Sequence, residues 1–339
     1  MTQARIEIIG AGVAGLCCAR LFAARNCQVV LRAASNGIDH GCCSWWAGGM
    51  LAPWCELEST ELLVATLGLE STAFWKQYTS AVISRGSLVI AHRRDHPDLQ
   101  QFASKTRHYR TIESEQLGEL EPELADRFHA GLFFDSECHL DPRVALKALL
   151  EQLKSLPNVS LELSDAISAE ELAQPTLHDW RVDCRGLAAR DSLSDLRGVR
   201  GEMLLLHAQD VALSRPVRLL HPRYPIYVVP RADNVYMVGA TMLESDDRGD
   251  VTVRSIMELL SAAYALHPGF AEATVLELGA DARPAFTDNL PRLRRRGRTL
   301  YVNGLFRHGF LCGPAMAQRA VALALDNKTD DEVVDENHD

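Results

Sequence analysis

Gly10, Gly12 and Gly15 stand in the spacing G-x-G-x-x-G near the start of the chain. The chemistry open to that spacing is the holding of a pyrophosphate. Gly10 permits a tight turn, Gly12 lets the backbone approach the phosphates, and Gly15 lets the following helix pack against the strand. Val13 and Ala14 open that helix, whose N-terminal amides and dipole face the same anion. Glycine turns are common, but here the elements come in order: Ile6-Glu7-Ile8-Ile9, the turn, a helical stretch through Ala24, then Gln28-Val29-Val30-Leu31. That order predicts a dinucleotide fold over a merely structural βαβ turn. The Asp or Glu that should close the second strand on the ribose hydroxyls is absent, the chain running Leu31-Arg32-Ala33-Ala34-Ser35. Arg32 suits a 2′-phosphate or simply solvent, and Ser35 or Asn36 could bond the ribose instead.

A second run, Gly41-Cys42-Cys43-Ser44-Trp45-Trp46-Ala47-Gly48-Gly49-Met50-Leu51-Ala52-Pro53-Trp54, mixes small residues with large aromatics and has no helical or strand period. It reads as a loop lying against something flat, or as a buried aromatic corner. No Ser/His/Asp or paired-carboxylate arrangement is evident, and the histidines show no metal spacing.

The elements that must position these residues follow. Leu62, Leu63, Leu67, Leu69 and Trp75 give an apolar face to a helix over about 59–80. Short strands begin at Ser87, polar and acidic helices follow from Pro97 and Ser114, and Asp141-Pro142 caps a helix through Leu153. Strands are expected at Val159–Leu163 and Arg181–Cys184. The most strand-rich part holds Met203–Leu206, Val217–Leu220, Ile226–Val229 and Val235–Gly239, an antiparallel sheet by its turn residues. A helix over Thr252–His267 is stopped by Pro268-Gly269. A final strand at Leu300-Tyr301-Val302 leads through Phe306-Arg307-His308-Gly309 into a helix opened by Pro314. The expected fold class is α/β: a Rossmann-like domain of residues 1–84, 136–200 and 286–327, interleaved with an α+β domain of 85–135 and 201–285 on a mostly antiparallel sheet. The acidic tail, 328–339, is expected to be disordered.

At 339 residues and a net charge of −10, the chain has ample core and little attraction for nucleic acid. The run Arg292, Arg294, Arg295, Arg296, Arg298 is the exception and reads as an exposed turn. No apolar run approaches the roughly 20 residues a membrane span needs. The first strand starts too early to leave room for a signal peptide. Nine cysteines without C-x-x-C spacing suggest reduced thiols and a cytoplasmic protein.

Seven ordered stretches resemble the D-amino-acid oxidase superfamily of FAD-dependent oxidoreductases, and within it the glycine oxidase branch of thiamine biosynthesis. They are Gly10–Gly15, Ser44–Pro53, Arg200-Gly201-Glu202-Met203, Tyr227–Arg231, Val238–Met242, Ala282-Arg283-Pro284 and Phe306–Phe310, spread over nearly the whole chain.

The resemblance implies non-covalent FAD, since Arg283-Pro284-Ala285-Phe286-Thr287 lacks the cysteine by which related sarcosine oxidases attach flavin. Gly10, Gly12, Val13, Ala14 and Gly15 would hold the pyrophosphate, with Val159–Leu163 near the adenine. Ser44, Ala47, Gly48, Gly49 and Met50 would pass the flavin ring, Cys184 and Gly186 would touch the cofactor, and His308, Gly309, Phe310 and Leu311 would lie by the pyrimidine side. Arg283 would fork onto a substrate carboxylate and adjoin the flavin, Tyr227 would add a hydroxyl bond, Arg307 would line the same site and Met242 would wall it. Two departures stand out: Pro225 where a histidine can precede the strand tyrosine, and His308 where asparagine is common. The implied reaction is hydride transfer from glycine or another small amino acid to flavin, with reoxidation by O2 to H2O2. A homo-oligomer and hand-over of the product to a thiazole synthase belong to the same implication. An oxidase or dehydrogenase for sarcosine, proline or a D-amino acid stays open, as do a pyridine-nucleotide enzyme and a flavin-binding scaffold with little turnover.

Overall fold

Ile6, Ile8 and Ile9 are buried because the strand they occupy, Arg5–Ile9, lies inside a sheet with neighbours on both sides. The computed structural model describes residues 3–34, 39–164 and 167–338; Ser35 and Asn36, the candidate ribose contacts, lie outside them. Arg5–Ile9 pairs in parallel with Gln28–Ala34 and with Trp180–Asp183. The sheet extends through Val159–Ser164 on one side and Thr299–Asn303 on the other, so the last expected strand does rejoin the first sheet. Helices Val13–Ala24, Leu62–Tyr78, Pro142–Ser155 and Gly309–Asp326 close a core around Phe22, Trp75, Leu149 and Met316.

A second, nine-stranded sheet is mostly antiparallel, as its turn residues predicted, with Ser87–Ala91 parallel to Val217–Leu220. The long strands Arg197–His207 and Thr274–Ala285 pair through a bulge at Leu205/Leu206. Helix Val253–Leu266 packs its Leu259, Ala262, Ala263 and Leu266 on this sheet. The architecture is thus the α/β class expected, a mostly parallel nucleotide-type sheet beside a mostly antiparallel one.

Two expectations need correction. The C-terminal helix begins at Gly309, five residues before Pro314, which sits inside it. A proline there removes the amide that would bond the carbonyl four residues back. That carbonyl, of Phe310, instead accepts the indole Nε1–H of buried Trp75 at 2.7 Å, and the next amide, Ala315, donates to Ser71 Oγ at 3.1 Å. The acidic tail, expected to be disordered, supplies the edge strand Val334–His338, parallel to Arg292–Arg296. Val333 is buried beside it. The arginine run expected as an exposed turn is that neighbouring strand: Arg294 pairs with Asp335 at 2.8 Å and with Asp195 at 2.7 Å, and Arg296 with Glu336 at 2.5 Å. Composition marked both segments as solvated, and each neutralises the other.

Candidate active site

The glycine turn is built from backbone contacts that admit nothing larger. A Cβ on Gly15 would fall 1.8 Å from the Gly10 carbonyl oxygen, and one on Gly10, where φ is +99°, would fall 2.6 Å from that of Cys184. Gly10 N–H donates to the Arg32 carbonyl at 2.8 Å, tying the turn to the second strand. Neither N-cap residue, Gly12 of the first helix or His308 of the last, supplies a side-chain bond to the amides behind it. Val13 N–H donates to Ser44 Oγ at 3.1 Å, which brings the aromatic-rich loop onto the first helix.

One cavity of about 680 Å³ runs between the two helix N-termini, within the range of small-molecule sites. Of the residues expected at the cofactor, Gly10, Gly12, Val13, Ala14, Ser44, Ala47, Gly48, Gly49, Met50, Cys184, Gly186, His308, Gly309, Phe310 and Leu311 line it, and Gly15 supports it from behind. These surroundings fit a dinucleotide with a flat ring: a helix N-terminus without a side-chain bond from its N-cap residue at each end, and glycine backbone along one wall. The adenosine end is lined by Ala33, Ala34 and Ile167; the Val159–Leu163 strand expected there does not reach it. Arg32 holds no free charge for a 2′-phosphate, because Glu7 at 2.9 Å, Glu162 at 3.2 Å and Glu171 at 2.6 Å surround it.

At the other end the structure brings together Tyr227, Arg283 and Arg307, but not Met242, which is 59% exposed and outside the lining. Met242 lies beyond the end of the Val235–Gly239 strand, where side-chain direction is no longer set by the pleat. Pro225 is likewise exposed and outside. Tyr227 packs on the loop, 2.9 Å from where a Cβ on Gly48 would be. Arg283 Nη1 donates to the Thr241 carbonyl at 3.3 Å, and among the described residues no carboxylate pairs with it. Burial lowers its pKa, and the neighbouring Arg307 charge lowers it further. A half-buried, unpaired guanidinium in a cavity is a site for an anion. Its shape is fixed by Gly201, where a Cβ would fall 2.0 Å from Arg283 Nη2. Gly201→Ala is therefore expected to displace the guanidinium and raise KM for a carboxylate substrate about tenfold or more, with flavin content unchanged. Unaltered kinetics in that variant would show that the guanidinium is not held by this contact.

Arg307, unlike Arg283, is engaged. Its Nε donates to Glu56 Oε2 at 2.8 Å, and Nη2 also bonds that oxygen. His308 Nε2 lies 2.9 Å from the same oxygen and Arg218 Nη2 lies 2.6 Å from Oε1. Burial disfavours the Glu56 anion, but Arg307, Arg218 and His308 outweigh it and hold the carboxyl well below the usual range. Burial pushes His308 the other way, below its ordinary value despite Glu56. Glu56 lines the cavity and was missed in the sequence. It ends a short helix, Pro53–Glu56, in apolar surroundings, and neither spacing nor periodicity marks it. Asp281, paired with Arg248 at 2.6 Å, and Asn303 also line the cavity and were missed.

Glu137 positions that short helix. Its Oε1 accepts from the amides of Trp54 at 3.0 Å and Cys55 at 2.8 Å, while Oε2 has no partner among the described residues. Burial raises its pKa from 4.5 to about 7. A carboxyl raised on folding stabilises the protein below its unfolded value and loses that contribution as pH rises through the folded one. Glu137→Gln keeps the Oε1 acceptor and carries no charge. It is expected to match the wild type near pH 4 and to exceed its stability by about 3 kcal/mol at pH 8. Urea unfolding of the pair at both values checks this, and equal midpoints at pH 8 would refute it.

A family model described as FAD dependent oxidoreductase, DAO, matches residues 5–323. A thiamine biosynthesis oxidoreductase, ThiO, of Rhizobium etli is 50% identical over 314 residues, covering 92% of this chain and 94% of that protein. Two solved structures share the fold. Iminodiacetate oxidase from Chelativorans superposes with a TM-score of 0.79 at 20% identity, covering 98% of this chain and 99% of that one. Glycine oxidase from Geobacillus kaustophilus does so with 0.76 at 19% identity, covering 96% of each.

Proposed function

The chain belongs to the DAO family of FAD-dependent oxidoreductases, and from that premise we propose that it oxidises a small amino acid, glycine first, to the imine. The observation that carries the substrate class is Arg283, unpaired by any carboxylate among the described residues and set into the cavity beside Tyr227. FAD held by the Gly10–Gly15 turn, Gly48, Gly49 and Gly309–Leu311 would supply the acceptor for a hydride from the substrate Cα, with dioxygen as the final oxidant, reduced to hydrogen peroxide.

The chain's own residues do the rest. Arg283 forks onto the carboxylate and fixes the amino acid's orientation, and the Tyr227 hydroxyl adds a bond to the same group. Gly48 and Gly49 let the loop lie close to the ring, and Trp46 closes over Gly279, where a Cβ would meet it at 2.0 Å. No protein base is needed if the amine enters unprotonated. Glu56 is already saturated by Arg218, Arg307 and His308. The likeness to ThiO of Rhizobium etli supports a place in thiamine biosynthesis, the imine passing to a thiazole synthase. No helix among the described residues is long and apolar enough to cross a membrane.

Anaerobic titration of the FAD-loaded protein with glycine, following the visible flavin band, tests the reading. Bleaching with recovery in air is expected. A band unmoved by glycine but bleached by sarcosine, proline or a D-amino acid would transfer the activity to that substrate. A band unmoved by all of them would reject amino-acid oxidation.

A further inference from the structure

Two guanidinium groups face the substrate end of the cavity, and their charges bear on one another. They differ in what holds them. Arg283 bonds only the Thr241 carbonyl among the described residues. Arg307 is bound to Glu56 through Nε and Nη2, with Ser59 Oγ 3.3 Å from Nη2. Glu56 is 7% exposed and cannot easily leave, since Arg218 holds its other oxygen at 2.6 Å and His308 adds a bond of 2.9 Å. The enzyme's own carboxylate thus sits on the second cation, in the place where another carboxylate would bind.

We propose that Glu56 is a specificity-determining residue: by occupying Arg307 it restricts the site to amino acids bearing one carboxylate. The inference rests on the reading of Arg283 as the carboxylate clamp. A ligand with two carboxylates puts one on Arg283, and its second finds Arg307 already bonded to Glu56 instead of a free guanidinium. To bind there, a second carboxylate would have to displace Glu56 from Arg307, at the cost of breaking a buried ion pair. A monocarboxylate such as glycine presents nothing to that position and is accepted. Arg307 then acts in the unaltered site through Glu56, as part of an internal ion pair.

The test uses the FAD-loaded enzyme and two readouts. Calorimetry compares the binding of malonate, a dicarboxylate, with that of acetate. Steady-state kinetics compare kcat/KM for iminodiacetate, which is glycine with a second carboxymethyl group on nitrogen, with that for glycine. In Glu56→Gln both ratios, dicarboxylate to monocarboxylate, are expected to rise at least tenfold over the wild type. Adding Arg307→Met should abolish the gain. Removing a buried carboxylate from between two arginines risks the fold. Glu56→Asp therefore serves as the second variant: it keeps the charge, withdraws it from Arg307, and should raise both ratios about threefold. Unchanged ratios in either folded variant, or a gain that survives Arg307→Met, would overturn the proposal. Wild-type protein that no amino acid reduces would sink amino-acid oxidation itself, while the malonate-to-acetate ratio still decides what Glu56 does.

Discussion

Arg283→Met is expected to lower kcat/KM for glycine about a thousandfold while FAD stays bound. The fall should lie mostly in KM, since the guanidinium holds the substrate from the moment of binding. The magnitude follows from deleting one partner of a charge-assisted, largely desolvated pair, about 4 kcal/mol. Neighbouring groups cannot take over. Arg307 is committed to Glu56 and Arg248 to Asp281, so the cavity keeps no free guanidinium that the described residues leave unpaired. Methionine matches the length of the lost stem and should leave the Gly201 contact open. Kinetics within threefold of the wild type would show that the substrate carboxylate binds elsewhere. Loss of flavin would show that Arg283 belongs to the cofactor instead.

Gly15→Ala is expected to give a protein without flavin and less stable by on the order of 4 kcal/mol. The added Cβ would stand 1.8 Å from the Gly10 carbonyl oxygen. Backbone lies on both sides of that contact, so no side chain can swing away. Relief requires the Val13–Ala24 helix to lift from the first strand, which takes its N-terminal amides away from the cofactor. Gly297→Ala is the control: its φ is +56° but nothing lies within 4 Å of the new Cβ, so about 1 kcal/mol of backbone strain is expected and no effect on flavin. The ratio of flavin to protein absorbance after purification, with the thermal midpoint, reads both. A yellow Gly15→Ala protein with wild-type stability would show that the turn tolerates a looser packing than this.

The parts of this site that were legible in the sequence are those where residue type is dictated by backbone. Gly10, Gly15 and Gly49 announce themselves because only glycine fits where a carbonyl oxygen would be 1.8–2.6 Å away. Arg283 was legible only through its resemblance to a family motif, and its lack of a carboxylate partner among the described residues supports that reading. Glu56 was not legible. Its partners Arg218, Arg307 and His308 lie 162 to 252 residues away, and nothing local distinguishes it from a surface glutamate. Met242 failed because a position just past a strand end does not fix where the side chain points. Pro314 failed for a tertiary reason: the rule that proline opens helices is overridden when a tryptophan from another helix accepts the duty of the missing amide. The tail failed because composition reports charge but not the complementary charge some 40 residues upstream.

The order of strands in the parallel sheet has a bearing on how the protein is made. The Arg5–Ile9 strand pairs on one side with Gln28–Ala34, close behind it in the chain, but its other neighbour is Trp180–Asp183, and the next outward is Thr299–Asn303. The helix whose free amides close the far end of the cavity begins only at Gly309. For most of synthesis the glycine turn exists without the walls that would make it a binding site. Flavin is therefore expected to be a late arrival, captured only once the Gly309–Asp326 helix has been made. A nascent chain arrested at residue 300 should hold no flavin however much is supplied, and the Arg5–Ile9 strand must wait with one edge open for a neighbour translated some 170 residues later.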